Sequence, residues 1–461
     1  MATARDDATI TGKLRDSFRG NLIRPGDPEF DEERAIYNAM IDKRPQLIAK
    51  CTDVADVIAA VNYGRESGLE TAVRGGGHNG PGLSLVDDGL VIDLSEMNGV
   101  RVDPDAQTVS VEAGCRWGDV DHATHAFGMA TVSGIISTTG VGGLTLGGGH
   151  GYLTRKYGLT IDNLVGADVV LADGRLVHAN ERENQDLFWA IRGGGGNFGV
   201  VTSFEFTLHP VDTVVAGPMF WPLSELKTTM RWYRDWVRQA PEDVYAFYLV
   251  GEVPGDPFPP EIHGEKMCGL MWCCLGGEEQ AESMLQTARD VAEPMFEHVG
   301  EMPYPALQGM FDDLYPEGDQ WYWKGDFVRE LSDEAIDEHQ RFAEVPTPQS
   351  SMHLYPIDGA VHDVDSDETA WSVRDANWSM VIVGVDPDPA NVDKLTDWAK
   401  AYWEAVHPHT LGGSYVNFMM EEGSERIRAT YGDNFERLQK VKAKYDPENF
   451  FHVNQNIEPA A

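Results

Sequence analysis

Residues 140–151 read Gly-Val-Gly-Gly-Leu-Thr-Leu-Gly-Gly-Gly-His-Gly. Residues without side chains lose the most conformational freedom on folding, so a plain turn is a poor explanation for so many glycines. A backbone that passes close to a bulky planar or phosphorylated cofactor explains them better. The stretch therefore predicts a cofactor site.

Two shorter clusters are also rich in glycine. Residues 74–79 read Arg-Gly-Gly-Gly-His-Asn after a predicted strand, and residues 192–199 read Arg-Gly-Gly-Gly-Gly-Asn-Phe-Gly. Consecutive glycines let backbone N–H groups approach an anionic ligand, although a bare turn would look the same. None of the three clusters is a P-loop, and none fits the G-x-G-x-x-G pattern that opens a βαβ unit. A nicotinamide Rossmann site is therefore the weaker hypothesis.

The length of the chain predicts more than one domain. With 461 residues, and roughly 100 to 200 residues per domain as a soft prior, we expect at least two. Residues 1–210 alternate short strands with helices and are rich in glycine. Glycine becomes rarer over residues 211–412, where longer amphipathic stretches appear, and residues 413–461 change character again. We interpret the middle segment as a substrate domain.

The charge balance narrows the range of partners. The chain has 75 Asp and Glu against 36 Lys and Arg, a formal net charge of -39. Phosphate binding needs clustered cations, so nucleic acid and anionic membranes are disfavoured as partners. A surface this acidic holds water and cations, which favours adaptation to a salt-rich cytoplasm over a merely well-solvated surface.

Other features bear on location and on metals. No apolar run approaches the roughly 18 to 20 residues of a membrane span, and Met1–Asp7 lacks the apolar segment of a signal peptide. A cytoplasmic location is therefore expected. The five cysteines are an odd number without paired metal-ligand spacing, so we expect reduced thiols and no metal site.

Four stretches together resemble the berberine-bridge-enzyme-like group of FAD-linked oxidases, which share the fold of vanillyl-alcohol oxidase and para-cresol methylhydroxylase. These stretches are residues 74–79, 140–163, 186–202 and 445–457. The resemblance implies an α+β fold with a two-part FAD-binding domain and an inserted substrate domain built on an antiparallel sheet. The first and last of the three segments would form the FAD-binding domain, and the middle segment would be the insert.

The resemblance also implies how FAD is attached. In that family the histidine of the R-G-G-G-H stretch bonds to the 8α-methyl group of the flavin, and here it is His78. Many relatives add a second bond from a cysteine where this chain has Ile136, so a single link is implied. The other residues expected to bind the cofactor are Arg74, Gly75, Gly76, Gly77, Asn79, Thr139, Gly140, Gly142, Gly143, Gly147, Gly148, Gly149, Asn163, Gly199, Val200, Tyr415, Asn417 and Asn454.

In that family, one position, which is Thr139 in this chain, resembles a gate that controls the access of oxygen to the flavin. Valine is typical of oxidases there, and bulkier leucine or isoleucine is typical of dehydrogenases. This chain has Thr139, which is close to valine in shape. Oxygen is therefore the favoured electron acceptor.

The catalytic base is where the chain departs most from the family. Many relatives use the second tyrosine of Y-x-N-Y, but here Phe418 stands in its place. A glutamate used by another branch aligns with Met380. His150 stands where plant-type members have an active-site tyrosine, and an imidazole with a pKa near 6.5 suits removal of a hydroxyl proton. Hydrogen bonding to flavin or backbone is the alternative role for His150.

Three further side chains are candidates for the pocket. Tyr322, Lys324 and His353 lie on predicted strands of the substrate domain. Strand alternation puts Tyr322 and Lys324 on one face of the sheet. Each of the three is more often structural than catalytic, so they rank below His150.

These features predict an FAD-linked oxidase that takes a hydride from a small organic substrate, such as an alcohol or a sugar, and passes the electrons to oxygen. Two alternatives stay open. One is a dehydrogenase with another acceptor, and the other is a flavin-binding protein without turnover, which the missing tyrosine favours. The substrate cannot be named, because one fold serves many functions.

Overall fold

The structure, a computed structural model, describes Gly12 and residues 14–461. The expectation that rests on Met1–Asp7 lies outside the described residues. Within the described part of the chain, no helix is long and apolar enough to cross a membrane. All five cysteines are buried and carry free thiols.

A four-stranded sheet carries the first glycine cluster. Its strands, in chain order, are β1 (Asn21–Ile23), β2 (Leu47–Lys50), β3 (Thr71–Arg74) and β4 (Leu90–Asp93). The spatial order is β1-β2-β4-β3, and β4 is parallel to both β2 and β3. Ligands of open sheets with parallel strands bind outside the carboxyl ends of those strands. Since β3 ends at Arg74, residues 75–79 leave the sheet at that edge.

A second sheet is entirely antiparallel. The next strands along the chain are β5 (Val100–Asp103), β6 (Thr108–Glu112), β7 (Met129–Ala130), β8 (Leu164–Val170), β9 (Leu176–Asn180), β10 (Val200–Thr207) and β11 (His209–Pro210). β7 pairs with β11, and the others form a sheet of order β5-β6-β10-β8-β9. A hairpin turn at Asp173-Gly174 joins β8 to β9, with Gly174 at φ +82°.

The third sheet forms the middle of the molecule. Its strands are β12 (Thr213–Pro222), β13 (Val244–Glu252), β14 (Lys266–Cys274), β15 (Phe296–Glu297), β16 (Gly300–Pro303), β17 (Gln320–Val328), β18 (Ser351–Pro356) and β19 (Trp378–Asp386). The order is β15-β12-β14-β13-β18-β19-β17, with β16 also beside β12. Every pairing in this sheet is antiparallel, as the resemblance implied.

The α-helices that follow β1 connect and cover these sheets. They are α1 (Phe30–Glu33), α2 (Val54–Ser67), α3 (Trp117–His125), α4 (Val141–Gly147), α5 (Thr154–Tyr157), α6 (Gln185–Ile191), α7 (Leu226–Val237), α8 (Glu278–Arg289), α9 (Tyr304–Gln308), α10 (Asp333–Phe342), α11 (Val392–Val406), α12 (Ser424–Tyr431) and α13 (Phe435–Tyr445). α2 begins where the Asp53 side chain accepts two backbone N–H groups, and it ends at Gly68 with φ +66°.

Of the four hydrophobic cores among the described residues, the two largest organise the chain. One joins the first 210 residues to the C-terminal segment, residues 413–461, and contains Trp117, Trp189 and Leu438. The other lies between the large sheet and helices α7, α8, α10 and α11. Trp371 of the middle segment packs into the first core, so the chain crosses between the cores more often than a single insertion requires. The opposite face of the large sheet is turned toward the glycine clusters.

Candidate functional site

A cavity of about 360 Å³ lies at the carboxyl edge of β3, between the glycine clusters and the large sheet. All three glycine clusters contribute to its wall. The C-terminal segment and strands β17, β18 and β19 contribute as well, together with residues of other elements such as Tyr37 and Phe311. Elements from distant parts of the sequence therefore converge on one space.

The glycines make room for a ligand in two ways. Gly76 and Gly140 approach so closely that a Cβ on Gly140 would lie 2.4 Å from the backbone nitrogen of Gly76. Gly143 and Gly196 border the cavity instead, and a Cβ there would meet no described atom within 4 Å. Side chains at Gly143 and Gly196 would fill the space that a large flat or phosphorylated ligand needs.

Most of the residues expected to bind the cofactor line this cavity. They are Gly75, Gly76, Gly77, His78, Asn79, Thr139, Gly140, Gly142, Gly143, Gly147, Gly199, Val200, Tyr415, Asn417 and Asn454. Asn417 ties the C-terminal segment to α4, because its Nδ2 donates to the Gly143 carbonyl at 3.0 Å and to the Tyr415 hydroxyl at 2.7 Å.

Arg74, Gly148, Gly149 and Asn163 lie outside the cavity wall, contrary to expectation. The buried Arg74 guanidinium pairs with Asp93 at 2.6 Å, beneath the turn formed by residues 75–79, the glycine turn. The Asn163 amide donates to two backbone carbonyls at 2.9 Å. Gly148 and Gly149 have φ values of +127° and +77°, which let the chain turn sharply after α4. These residues shape the elements that carry the wall.

His78 lies in the cavity wall with its ring stacked on Tyr37. The ring centroids are 3.9 Å apart and the planes differ by 20°. Burial, assisted by the positive charge of Arg116, lowers the pKa of His78 to about 3. The imidazole is therefore neutral near pH 7, and one ring nitrogen keeps a free lone pair.

His150 is a buried imidazole without a hydrogen-bond partner among the described residues. Its side chain lines the cavity, and both ring nitrogens are shielded from solvent and unpaired. The rings of Tyr415, Tyr355 and Phe418 surround it at centroid distances of 4.8, 5.3 and 5.5 Å. Burial lowers the pKa of His150 to about 3, so the ordinary value expected from the sequence does not hold. Buried polar atoms are normally paired, so this ring lacks a partner that the described residues do not supply.

His353 also lines the cavity, on strand β18. Its Nδ1 lies 2.5 Å from the Tyr355 hydroxyl, and burial lowers the pKa of His353 to about 4. His353 is therefore neutral near pH 7 and already has a partner. Both ring nitrogens of His150 are unpaired, whereas one nitrogen of His353 already has a partner.

Tyr322 and Lys324 lie on the opposite face of the large sheet, so the expectation that they belong to the pocket needs correction. Lys324 Nζ is 3.0 Å from Glu422 Oε2 and lies over the Trp403 ring. Tyr322 packs against the helix-covered core. Alternation did place the two residues together, as expected, but on the face away from the cavity.

Several aromatic residues of the wall were missed by the sequence reasoning. Trp321 and Trp323 alternate with Tyr322 and Lys324 on β17 and face the cavity, together with Tyr37, Phe311, Tyr315 and Tyr355. The alternating pattern of the strand predicted two faces but did not indicate which of them faces the cavity. Gly195 and Gly196 carried a clearer signal, because they belong to the third glycine cluster.

The wall carries no formal charge. No Asp, Glu, Lys or Arg of the described residues lines the cavity, although these types make up 24% of the chain. The three histidines of the wall are neutral near pH 7, because burial lowers the pKa of each. The described residues also contain no group of three or more side chains that could hold a metal ion.

Comparisons with known proteins agree with this geometry. The family model of the FAD binding domain matches residues 45–180, and the model for berberine and berberine-like proteins matches residues 414–458. The matched segments contain the first two glycine clusters and the C-terminal part of the cavity wall.

Full-length relatives extend the match. A FAD-linked oxidoreductase of Dictyostelium discoideum is 31% identical, over 98% of this chain and 97% of that protein. The (R)-6-hydroxynicotine oxidase of Paenarthrobacter nicotinovorans is 30% identical, over 96% and 97%. The crystal structure of 6-hydroxy-D-nicotine oxidase from Arthrobacter nicotinovorans superimposes with a TM-score of 0.86 at 27% identity, covering 96% of this chain and 99% of that one.

Proposed function

The chain belongs to the berberine-bridge-enzyme-like family of FAD-linked oxidoreductases, and we propose that it takes a hydride from a small uncharged organic substrate onto an FAD bonded to His78. The observation that carries the proposal is the unpaired imidazole of His150 inside a glycine-lined cavity. Bound FAD would accept the hydride and the electrons, which is chemistry that no side chain supplies.

The residues of the cavity fit such a cofactor. Gly143 and Gly196 leave open space for a flat or phosphorylated group, and close packing of Gly76 on Gly140 holds the two cluster backbones together. Asn454 Oδ1 is buried without a partner in the described chain and is available to a ligand N–H or O–H group. FAD would therefore contact mainly backbone and uncharged side chains.

His150 is proposed as the group that receives the substrate's hydroxyl proton. A ring with a pKa of about 3 is a weak base, but it is neutral and keeps a free lone pair near pH 7. A hydroxyl group becomes strongly acidic as the hydride leaves its carbon, so a weak base at the right distance is sufficient. Before that step, the same nitrogen holds the hydroxyl in place as a hydrogen-bond acceptor.

His78 is proposed as the site of the covalent link. Its neutral ring supplies a nucleophilic nitrogen, because burial lowers its pKa to about 3. With FAD bound, the new C–N bond would replace one C–H bond of the 8α-methyl group and the imidazole N–H bond. FAD would take up the two hydrogens as protons together with two electrons, and oxygen would remove them as hydrogen peroxide. Ile136 also lines the cavity, and its hydrocarbon side chain cannot form a second link.

The substrate is proposed to be uncharged. On the sheet side, the wall consists of aromatic, aliphatic and hydroxyl side chains with one neutral histidine, and the N–H groups of the inner strands β18 and β19 are used in the ladder. A carboxylate or an ammonium group would lose its hydration without gaining a counter-ion, which costs several kcal/mol. A neutral alcohol or sugar ring avoids this cost.

Oxygen is proposed as the acceptor. Thr139, the residue at the position that resembles an oxygen gate, lines the cavity. The relative from Paenarthrobacter nicotinovorans is named an oxidase, which supports the same acceptor. A compact side chain at this place leaves room for a diatomic molecule.

An anaerobic screen tests the proposal. The protein is mixed without oxygen with neutral alcohols and sugars, and with their carboxylate and ammonium counterparts, while the flavin absorbance is followed. We expect a neutral member to bleach the flavin, and air to restore the colour with formation of hydrogen peroxide. Faster bleaching by charged counterparts would refute the uncharged substrate. Recovery with a quinone but not with air would identify a dehydrogenase, and bleaching by no compound would favour a flavin-binding protein without turnover.

A further inference from the structure

Tyr37 lies against the face of the imidazole that is proposed to carry FAD. Its ring is stacked on His78 with centroids 3.9 Å apart and planes 20° from parallel. Both rings line the cavity. Tyr37 comes from the loop after α1, far from the glycine turn in sequence, so this contact depends on the tertiary fold.

Tyr37 is itself held by three hydrogen bonds. Its hydroxyl donates to the Tyr315 carbonyl at 2.7 Å. Its backbone N–H donates to the Gly77 carbonyl at 3.2 Å, and its carbonyl accepts from Gly318 N–H at 3.1 Å. The phenol ring is only 5% exposed. A ring fixed in this way is a rigid support for the imidazole beside it.

The support matters because of how histidine rotates. The torsion that turns an imidazole is broad and has no sharp minima, so packing must set the plane of the ring. The lone pair of a ring nitrogen lies in that plane, and it must point at the carbon with which it reacts. His78 follows Gly77, which has no side chain to restrict the ring, and besides the Tyr37 stack the imidazole has a hydrogen bond to the Thr138 backbone.

We propose that Tyr37 is a positioning residue for flavin attachment, which holds the His78 ring in the plane where its nitrogen meets the flavin methyl carbon. The inference rests on the proposed link at His78. Tyr37 takes no part in the bond changes themselves. Correct alignment of reacting atoms is worth large factors in rate, so loss of the stack should slow attachment more than it weakens FAD binding.

Replacement of Tyr37 by leucine and by phenylalanine separates the stack from the hydroxyl group. Each protein is prepared without FAD and then incubated with FAD, and total bound FAD is compared with the fraction that stays with acid-precipitated protein over time. We expect Tyr37→Leu to bind FAD but to form the link about 10- to 100-fold more slowly. Tyr37→Phe keeps the ring and should form the link at nearly the wild-type rate.

Tyr157 provides a matched control. Its ring is stacked on His209, with centroids 3.8 Å apart and planes 13° from parallel, outside the cavity wall. Tyr157→Leu removes an equivalent tyrosine–histidine stack and should leave the rate of attachment unchanged. Equal slowing in this variant would show a general effect of lost packing and would overturn the proposal.

Failure of the two proposals gives different results. If acid releases all FAD from the wild-type protein, the link at His78 is wrong. If the wild type holds FAD covalently and Tyr37→Leu attaches it equally fast, the role of Tyr37 is wrong while the link stands. Should Tyr37→Leu hold no FAD, Tyr37→Met takes its place, and loss of FAD in both variants would make Tyr37 a binding residue and reject positioning.

Discussion

At the scale of single residues, His78 makes the first prediction. In the His78→Ala variant, FAD should bind without a covalent link, so acid precipitation should leave yellow colour in the supernatant and none in the pellet. The wild-type pellet should stay yellow. His209→Ala is the control, because His209 is another histidine whose pKa burial lowers, to about 4, and it lies outside the cavity wall. Release of all FAD from the wild type would contradict the link.

His150 makes the second prediction. Loss of the imidazole in His150→Ala should slow flavin reduction by about 10²- to 10⁴-fold, while FAD stays bound. A base acts above its pKa, and the pKa of His150 is lowered to about 3, so its neutral form persists from about pH 5 upward. The wild-type rate of flavin reduction should therefore show no limb near pH 6.5 that belongs to His150.

Stopped-flow absorbance measures both parts of this prediction. Phe418 lies 5.5 Å from the His150 ring and stands where many relatives have a tyrosine. A double variant, His150→Ala with Phe418→Tyr, should therefore recover part of the lost rate. Unchanged flavin reduction in His150→Ala would end the assignment and turn attention to His353, the other histidine on the sheet side of the cavity.

At the scale of elements, α3 carries a carboxyl group in an apolar setting. Asp121 is 3% exposed and accepts one long hydrogen bond, 3.3 Å, from Gln308 of α9. Burial raises the pKa of Asp121 from 3.8 to about 7. The folded protein therefore binds this proton more tightly than the unfolded chain does. The resulting stability is complete below about pH 4 and is lost as the pH rises through 7.

The third prediction concerns this dependence of the protein's stability on pH. Each unit of pKa difference is worth about 1.4 kcal/mol, so the melting temperature of the wild type relative to that of Asp121→Asn should fall between pH 5 and pH 8. The comparison isolates this carboxyl group, because an amide does not ionise and the buried histidines are the same in both proteins. Thermal melts at constant high salt measure it, with the exposed Asp433→Asn as control. An equal pH dependence in wild type and Asp121→Asn would contradict the raised pKa.

Strand β17 shows how far the sequence of a strand predicts the placement of its side chains. The period of two correctly grouped Tyr322 with Lys324. Neither pattern nor composition told which face was inside, since Trp321 and Trp323 are as plausible for a packed core as for a cavity wall. The answer came from β17 lying at the end of the sheet beside the glycine turn, where Gly80 leaves space for the Trp323 ring.

At the scale of the whole molecule, charge makes the fourth prediction. The excess negative side chains, which give a net charge of -39, should repel one another in dilute buffer and weaken the folded state. At molar salt the Debye length falls to about 3 Å, which removes most of this repulsion. The melting temperature and the flavin-reduction rate should therefore rise between dilute buffer and molar KCl. Sucrose of equal osmolarity is the uncharged control, and equal stability in both buffers would count against salt adaptation.

The glycine clusters of the sequence predicted a cofactor site and most of its glycine wall, because glycine is needed wherever backbones approach closely. The resemblance to a known family implied the cofactor class and the antiparallel insert. Tertiary structure alone decided the rest. It lowered the pKa of His150 through burial, turned Lys324 away from the cavity, and brought Tyr37 onto His78. Burial and long-range contact depend on which faces meet, and that information lies in the packing of distant segments.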